Sequence, residues 1–363
     1  MKIRPEFLIP TKSYADHTPE ATADILDCSL GENPYGYPLS VRSALESFDL
    51  ERLAHYPHSH AATDAILHYW REQAALGPEN IVLTDGSISA LYLVNNLFST
   101  PGAEVVGYAP TFTDMVVNCR MLGMRYRAVP MEESENCRAS SLRLEAAIGP
   151  DTALVYVDNP NNPTGQTMPI RGLERLAAKA AQVGACLLVD EAYGDFISQE
   201  ESMLSRWHKH DNVIVARTFS KGFGLAGLRA GYLVTPPKIA ECIGKISNPY
   251  MMNELTRVAV AAAMEQPDFP SSHGTDFDRV KHELEARTGR NLSLLYTDYR
   301  VPICTLRHRD PQANLQQLLY DAGVLTVSGA EFDGLDASAV RLRVPKPESA
   351  EPLLRAVEIV DRG

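Results

Sequence analysis

Short apolar runs alternate with amphipathic stretches through the first two thirds of the chain. The apolar runs predict strands at 80–84, 104–108, 125–129, 153–157, 186–189, 213–216 and 230–234. Apolar residues at helical spacing predict helices at 39–48, 61–75, 89–98, 142–148 and 171–183. A further predicted helix follows the loop at 110–112 and ends at about residue 122. Strands that are apolar nearly throughout and alternate with helices are typical of a mostly parallel sheet with helices on both faces. We therefore predict an α/β fold for this part of the chain.

The pattern changes after residue 236. It then predicts a helical region at 239–265 with a break at 248–249, helices at 279–295, 315–322 and 351–360, and strands at 300–307, 324–327 and 340–344. Residues 1–40 hold several prolines and little periodicity, which indicates an extended arm. We predict three parts: an N-terminal arm at 1–40 that joins the small domain, a large domain at 41–247, and a small α+β domain at 248–363.

Polar, aromatic and glycine residues follow several of the predicted strands at the point where each strand ends. They are Gly86, Ser87, Phe112, Asn162, Asp190 and Lys221. In a mostly parallel sheet, ligands bind beyond the carboxyl ends of the strands. The sequence therefore predicts that these residues converge on one cleft.

A glycine-rich stretch at 217–232 follows the predicted strand at 213–216. It holds one lysine, Lys221, with hydroxyl groups at Thr218 and Ser220 and a cation at Arg229. A lysine amine between phosphate-type donors suggests a Schiff base with a phosphorylated aldehyde. The alternative is a glycine-rich surface loop with an ordinary solvated lysine, since such loops are common.

Length and charge narrow the possible functions. The chain has 363 residues, more than one core usually holds, and 45% hydrophobic and 22% charged residues, as in ordinary globular proteins. Its net charge is −12, and no dense basic block is present. This balance argues against nucleic acid or an anionic membrane surface as the main partner.

Cysteine usage and apolar run lengths indicate the compartment. None of the six cysteines is spaced as CxxC, and no His/Cys pair has zinc-site spacing, so we predict no metal site. Scattered cysteines in a long chain are typical of reduced cytosolic thiols. Residues 1–10 lack the apolar centre of a signal peptide, and no apolar run is long enough to cross a membrane. We therefore predict a cytoplasmic protein.

Six motifs carry a family resemblance over most of the chain. They are GENPYG at 31–36, YPHS at 56–59, DNPNNPTG at 158–165, VDEAY at 189–193, RTFSKGFGLAGLRAGY at 217–232 and NPYMMN at 248–253. In this combination and order the chain resembles a fold-type I aminotransferase that uses pyridoxal 5'-phosphate (PLP). It is most similar to the histidinol-phosphate aminotransferase branch, which also includes a threonine-phosphate decarboxylase. The resemblance implies that the large domain binds PLP.

The resemblance implies roles for residues around the cofactor ring. Lys221 would form the internal aldimine and, once displaced by substrate, move the proton between the substrate carbon and the cofactor. Asp190 would pair with the protonated pyridine nitrogen, and Tyr193 and Asn162 would hydrogen-bond the 3'-oxygen. Phe112 would stack on the pyridine face. The residues themselves leave other interpretations open, because Asp190 suits a helix N-cap, Asn162 a turn and Phe112 the core.

The resemblance also implies a phosphate site. The backbone N–H groups of Gly86 and Ser87 and the Ser87 hydroxyl would hold the phosphate at a helix N-terminus. Ser220 and Arg229, with Thr218 beside them, would bind the same phosphate, which the planar guanidinium fork suits well. Tyr56 matches the residue that reaches the phosphate from the neighbouring subunit, so a homodimer with shared active sites is expected.

The substrate residues match the family less completely. Arg341 in the predicted strand at 340–344 would bind a carboxylate or phosphate, and Arg343 on the same strand face is the alternative. Tyr14, Asn33 and Asn253 match positions near the substrate pocket. The second arginine of histidinol-phosphate enzymes would fall near Val327, where this chain has none. Histidinol phosphate itself is therefore not predicted as the substrate.

The resemblance implies a transaminase that works in two half-reactions, first with an amino-acid or amino-phosphate donor and then with a 2-oxo acid. A PLP-dependent decarboxylase or other lyase is an alternative, since the same cofactor contacts would serve it. A non-catalytic PLP-binding regulator is a further alternative. The negative charge and the lack of a helix-turn-helix before the arm argue against that regulator.

Overall fold

The strands and helices follow the predicted alternation closely. A computed structural model describes residues 2–8, 11–12, 24–100 and 102–363. Its strands are β1 (Leu26–Asp27), β2 (Ile81–Thr84), β3 (Glu104–Ala109), β4 (Arg125–Pro130), β5 (Thr152–Asp158), β6 (Cys186–Asp190), β7 (Val213–Thr218), β8 (Gly231–Val234), β9 (Leu292–Leu294), β10 (Ile303–His308), β11 (Val324–Leu325), β12 (Val327–Ser328) and β13 (Ala339–Arg343). Its α-helices are α1 (Leu39–Glu46), α2 (Ala61–Trp70), α3 (Ser87–Phe98), α4 (Thr113–Met121), α5 (Ser141–Ala147), α6 (Ile170–Gln182), α7 (Pro237–Gly244), α8 (Glu254–Met264), α9 (Gly274–Ala286), α10 (Leu315–Asp321) and α11 (Glu351–Arg362).

Over the described residues, seven strands form the large sheet in the order β2-β8-β7-β6-β5-β3-β4. The pairs among β3 to β7 are parallel, and β8 runs antiparallel to both of its neighbours. The prediction of a mostly parallel sheet in an α/β fold is confirmed. Because β5 lies between β3 and β6, loops that are distant in sequence meet above its carboxyl end.

Both faces of the central strands β5, β6 and β7 are buried, which explains why these strands are apolar nearly throughout. Along β6, Leu187 and Val189 enter the core under α2 and α6, whereas Leu188 enters a second core under α3 and α4. Successive strand residues point to opposite faces, so a two-sided sheet needs apolar residues at every position.

A smaller sheet has the antiparallel order β12-β13-β10-β9 and its own core. The arm joins this region because β1 pairs in parallel with β11, aligning Leu26 with Val324 and Asp27 with Leu325. Helix α8 packs instead in the core below the large sheet, through Ala259, Val260 and Ala263. The boundary between the large and the small domain at 247/248 remains a prediction.

The prediction of a helix over 279–295 is wrong at its C-terminal half. Helix α9 ends at Ala286, and Leu292–Leu294 is strand β9. The carboxylate of Asp361 accepts the backbone N–H groups of Gly289, Arg290, Asn291 and Leu292. A carboxylate that accepts these N–H groups stabilises a tight turn where a helix would otherwise continue.

Membrane insertion through a helix finds no support in the fold. Across the ranges that the structure describes, every helix is too short or too polar to cross a bilayer.

Candidate active site

A cavity of about 170 Å³ lies at the carboxyl ends of the large-sheet strands. It brings together most of the residues that the sequence singled out, although they come from separate loops. Its lining residues are Ser87, Ile88, Phe112, Asp158, Pro160, Asn162, Asp190, Ala192, Tyr193, Thr218, Ser220, Lys221, Ala226 and Arg229. The predicted convergence is therefore observed for Ser87, Phe112, Asn162, Asp190 and Lys221, whereas Gly86 does not itself line the cavity.

A larger cavity of about 1060 Å³ lies elsewhere, between α2, the segment 195–200 and the end of α8. Neither Lys221 nor Asp190 lines it. The smaller cavity is the candidate site because it holds Lys221 and Asp190 together with the residues at the strand ends.

Lys221 supplies the amine of the site. Burial lowers its pKa to about 8, with the positive charges of Arg341 and Arg229 acting in the same direction against Glu32 and Asp190. Its Nζ lies 5.8 Å from the centroid of the Tyr193 ring. A lysine with a pKa near neutrality is partly unprotonated and can act as a nucleophile or a base.

Asp190, the last residue of β6, also lines the cavity. Its carboxylate accepts hydrogen bonds from Ala192 N at 3.1 Å and Tyr156 Oη at 3.3 Å. Burial, and next the charge of Asp158, raise its pKa to about 7. A cationic ligand atom placed against this carboxylate would favour its charged form.

The N-terminus of α3 is a candidate anion site. Gly86 is its N-cap with φ +83°, and a Cβ added there would lie 2.7 Å from Arg229 Nη2. Arg229 Nη1 donates to Ser220 Oγ at 3.3 Å, and Thr218 Oγ1 donates to the same oxygen at 3.0 Å. Free backbone N–H groups, a guanidinium and hydroxyl groups together suit a phosphate.

Phe112 and Asn162 line the same cavity. Phe112 N donates to Asp158 Oδ2 at 3.2 Å, and Asn162 N donates to the same atom at 2.9 Å. Asn162 Oδ1 is buried and has no hydrogen-bond partner among the described residues. A polar group of a ligand would satisfy that oxygen.

Tyr56 and Asn253 do not line the cavity. Tyr56 is 68% exposed and stacks on Tyr250 with ring centroids 4.3 Å apart. Asn253 is the exposed N-cap of α8 and accepts from Thr256 N at 2.9 Å. Tyr14 lies outside the described residues.

Two of the predicted substrate residues border the lysine. Arg341 in β13 is 2% exposed, donates to the carbonyl oxygen of Ser29, and lowers the pKa of Lys221. The side-chain amide of Asn33 donates to the carbonyl oxygen of Gly222 at 2.7 Å.

Three residues of the site carried no role in the sequence analysis. Asp158 ends β5 and lines the cavity, Tyr156 donates to Asp190, and Gly31 lies against Lys221. The position of Asp158 at a strand end was a usable signal. Tyr156 lies inside an apolar run, so no local feature of the sequence marked it, and Gly31 is the first residue of the GENPYG motif but was given no role of its own.

A buried ion cluster supports the lysine loop. Arg217, the first residue of the glycine-rich stretch, pairs with Glu191 at 2.8 Å and with Asp195. Its guanidinium carbon lies 5.0 Å from the centroid of the Trp70 ring. Glu191 and Asp195 flank Tyr193, so this cluster connects the segment after β6 with the segment that holds Lys221.

The comparisons with known proteins agree with this geometry. The model of the family "Aminotransferase class I and II" matches residues 23–357. Histidinol-phosphate aminotransferase 1 of Mannheimia succiniciproducens is 28% identical over 337 residues, which cover 92% of this chain and 89% of the relative.

Two solved structures share the fold. Histidinol-phosphate aminotransferase from Clostridium acetobutylicum superimposes with a TM-score of 0.82 and 21% identity, covering 93% of this chain and 99% of that one. Aspartate aminotransferase from Thermus thermophilus with maleate has a TM-score of 0.82 and 22% identity, covering 93% of this chain and 91% of that one.

The resemblance predicted from the six motifs is confirmed, as are the expected cofactor and reaction class. The chain belongs to the class I and II aminotransferases, which are PLP-dependent transaminases, and lies near their histidinol-phosphate aminotransferase branch.

Proposed function

We propose that this protein moves an amino group from an amino-acid or amino-phosphate donor to a 2-oxo acid, with Lys221 as its catalytic amine. One observation carries the proposal: a lysine whose pKa is lowered to about 8 shares one small cavity with a buried aspartate and an anion site. An amine, an acid and a phosphate site are the groups that PLP chemistry requires of a protein.

The described residues fit PLP at both of its polar ends. The N-terminus of α3 with Ser87, Ser220, Thr218 and Arg229 would hold the phosphate. Asp190, which lines the same cavity, would hold the pyridine nitrogen. When bound, PLP supplies an aldehyde for the donor's amino group and a ring that accepts electron density from the carbon that loses its proton.

Lys221 would move that proton. Its pKa of about 8 lets the amine both accept and return a proton near neutral pH, which is the requirement for general acid–base catalysis. Arg341 and Arg229 help to keep the amine unprotonated, because both positive charges lower its pKa.

The other cavity residues would orient the ring. Tyr193 and Asn162 would hydrogen-bond the 3'-oxygen, and Asn162 would donate from its side-chain NH2 group. Phe112 would pack against one ring face. Asp190 would favour a protonated pyridine nitrogen, because opposite charges in a buried site stabilise each other.

Arg341 is the residue that we propose for the substrate carboxylate. It is nearly inaccessible to solvent, and its charge acts on Lys221, whereas the charge of Arg343 acts on Cys28 in the small-sheet core. Asn33 would support the pocket through Gly222. We propose a secondary role near the substrate for Tyr14 and Asn253.

We propose the amino donor as a chemical class. The relatives' names point to histidinol phosphate and aspartate as substrates of those proteins, and both substrates carry an anionic group. Val327, where a second arginine would be expected for histidinol phosphate, is a buried core residue of β12 paired with Arg341. A donor with one anionic group near Arg341 therefore fits best.

We also propose a homodimer in which Tyr56 completes the partner's phosphate site. Its exposed ring and the exposed Tyr250 beneath it lie outside the cavity of their own subunit. Mixing inactive Tyr56→Ala and Lys221→Ala proteins tests this, because heterodimers would restore one intact site. Activity that stays absent after subunit exchange, verified by native mass spectrometry, would exclude sharing.

A cytoplasmic location is the remaining part of the proposal. It is supported by six cysteines that are all free thiols, as expected in a reducing compartment.

The function is tested by a donor screen with purified holoprotein. Single amino acids and amino phosphates are added, and the released cofactor is identified by mass. A true donor converts the cofactor to its amino form and yields the matching oxo compound, and release of carbon dioxide would instead show decarboxylation.

Borohydride reduction and peptide mapping should place the pyridoxyl group on Lys221; a different position would overturn the assignment.

A further inference from the structure

Asp158 ends strand β5 directly beside Asp190 at the end of β6. The two residues are register partners in the parallel pair, and Asp158 is 5% exposed. Two carboxylates thus lie side by side at the floor of the cavity, although the proposed chemistry uses only Asp190.

Each carboxylate oxygen of Asp158 accepts two hydrogen bonds. Oδ1 accepts from Thr111 Oγ1 and from Asn161 Nδ2, both at 2.8 Å. Oδ2 accepts from Phe112 N at 3.2 Å and from Asn162 N at 2.9 Å. A single oxygen atom therefore joins the backbones of the two residues that would touch the face and the edge of the cofactor ring.

These donors come from two loops that only the sheet order brings together. Thr111 and Phe112 follow β3, whereas Asn161 and Asn162 follow β5. Asn161 Nδ2 also donates to the carbonyl oxygen of Pro110 at 3.2 Å, which adds a second link between the loops. The Asp158 carboxylate therefore accepts hydrogen bonds from both loops.

We propose that Asp158 is a positioning residue for the cofactor ring, acting through the backbones of Phe112 and Asn162. This inference rests on the proposed function. Asp158 sets the distance between the ring-stacking side chain and the amide that reaches the ring edge, so that both face Asp190. Catalytic groups need such outer partners to hold a ligand in a productive geometry.

A carboxylate suits this position better than an amide. An asparagine has one acceptor oxygen, so it would leave one pair of donors facing its NH2 group. Burial raises the pKa of Asp158 to about 6, although the hydrogen bonds from Asn162, Asn161 and Thr111 favour the charged form, so the carboxylate is mostly ionised at neutral pH. The Asp158 carboxylate also places a negative charge beside Asp190, and this charge raises the pKa of Asp190.

The test uses binding that does not involve Lys221 chemistry. Apoprotein is titrated with 4-deoxypyridoxine 5'-phosphate, which keeps the ring and phosphate but lacks the aldehyde. We expect Asp158→Asn to bind about tenfold more weakly or worse, because buried backbone N–H groups lose their acceptor. In the PLP-loaded variant, the visible circular dichroism per bound cofactor should fall, since the ring orientation is no longer fixed.

Asp361→Asn is the matched control. Asp361 is another buried carboxylate that accepts several backbone N–H groups, but it lies in α11 and does not line the cavity. The control should lose thermal stability and keep wild-type analogue binding and circular dichroism. This contrast separates positioning of the ring from general support of the fold.

If Asp158→Asn does not fold, the variant Thr111→Val tests the inference instead. It removes one donor to Oδ1 next to Phe112, and we expect analogue binding to weaken about threefold or more. Wild-type binding in a folded Asp158→Asn, or in Thr111→Val when the first variant is unfolded, would overturn the inference. Absence of analogue binding by the wild-type apoprotein would instead overturn the proposed function.

Discussion

The side-chain amide of Asn33 donates a 2.7 Å hydrogen bond to the carbonyl oxygen of Gly222, the residue directly after Lys221. The two residues are 189 positions apart, and the bond attaches the arm to the loop that carries the amine. Asn33 Oδ1 also accepts from Tyr35 N at 2.9 Å, so both polar atoms of the side chain are used. The arm therefore forms part of the wall around the lysine.

Replacing Asn33 with Asp tests this link. The carboxylate has no N–H to donate and would place a negative charge against the Gly222 carbonyl oxygen. We expect the affinity of the apoprotein for PLP to fall about tenfold, the effect of one broken buried hydrogen bond. Asn314→Asp is the control, since Asn314 caps α10 by accepting from Gln317 N and aspartate caps equally well. Equal PLP affinity in the two variants would contradict the link.

The lowered pKa of Lys221 predicts that its amine becomes reactive at a lower pH than the amine of an ordinary lysine. In the apoprotein, acetylation of Lys221 should rise with a midpoint near pH 8, because only the unprotonated amine reacts. Mass spectrometry of brief acetic anhydride labelling at a series of pH values measures it. Lys245 is the internal control, because its ion pair with Glu241 raises its pKa. If both lysines share one midpoint, the burial effect at Lys221 is absent.

The same shift affects stability. The folded pKa of about 8 lies below the ordinary value of 10.5, so the unfolded chain binds more protons between these pH values. The contribution of Lys221 to the free energy of unfolding is therefore least favourable below about pH 8 and increases as the pH rises through this window.

Gly31 leaves no room for a side chain beside the amine. A Cβ there would overlap the Tyr193 hydroxyl oxygen and lie 3.1 Å from Lys221 Nζ. We expect Gly31→Ala to lower kcat at least tenfold with little change in melting temperature, since displacement of catalytic groups by fractions of an ångström is costly. Gly149→Ala, where no atom lies within 4 Å, should match the wild type in steady-state assays. A fully active Gly31→Ala would place the arm farther from Lys221.

Arg217 is predicted to be essential for stability. Replacing it with Met leaves Glu191 and Asp195 buried without their cation, which costs about 3–5 kcal/mol. Arg42→Met is the comparison, because the exposed ion pair of Arg42 with Glu46 contributes about 0.5 kcal/mol or less. Urea unfolding of both variants measures the difference. Similar unfolding midpoints would show that the buried cluster is dispensable.

The kinetics of two alanine variants should distinguish the roles of Arg341 and Arg343. We expect Arg341→Ala to raise the KM for the donor by about 100-fold while PLP remains bound, because a charge-assisted carboxylate contact is lost. Arg343→Ala should leave the donor KM within about threefold, since its side chain donates to the Asp27 carbonyl oxygen in the arm. The reverse pattern in steady-state kinetics would exchange the two assignments, and loss of PLP from Arg341→Ala would remove it from substrate binding.

Much of the fold was predictable because its signals are local. The buried strands β5, β6 and β7 are apolar runs that end on Asp158, Asp190 and Thr218. Alternation of such runs with amphipathic helices predicts a parallel sheet, and residues at strand ends then meet at one edge. The helix predicted across 279–295 failed because the capping group of the turn, Asp361, lies 72 residues from Gly289.

The sequence by itself determined the order of elements, the family and the set of chemical groups at the strand ends, since each depends on neighbouring residues or on recognisable motifs. Only the tertiary structure decided which groups face Lys221 and how its pKa responds. The bond from Asn33, the charge of Arg341 and the four donors to Asp158 all depend on sheet order and on the arm crossing to the lysine loop. These contacts are made in space between distant segments, and no periodicity along the chain encodes them.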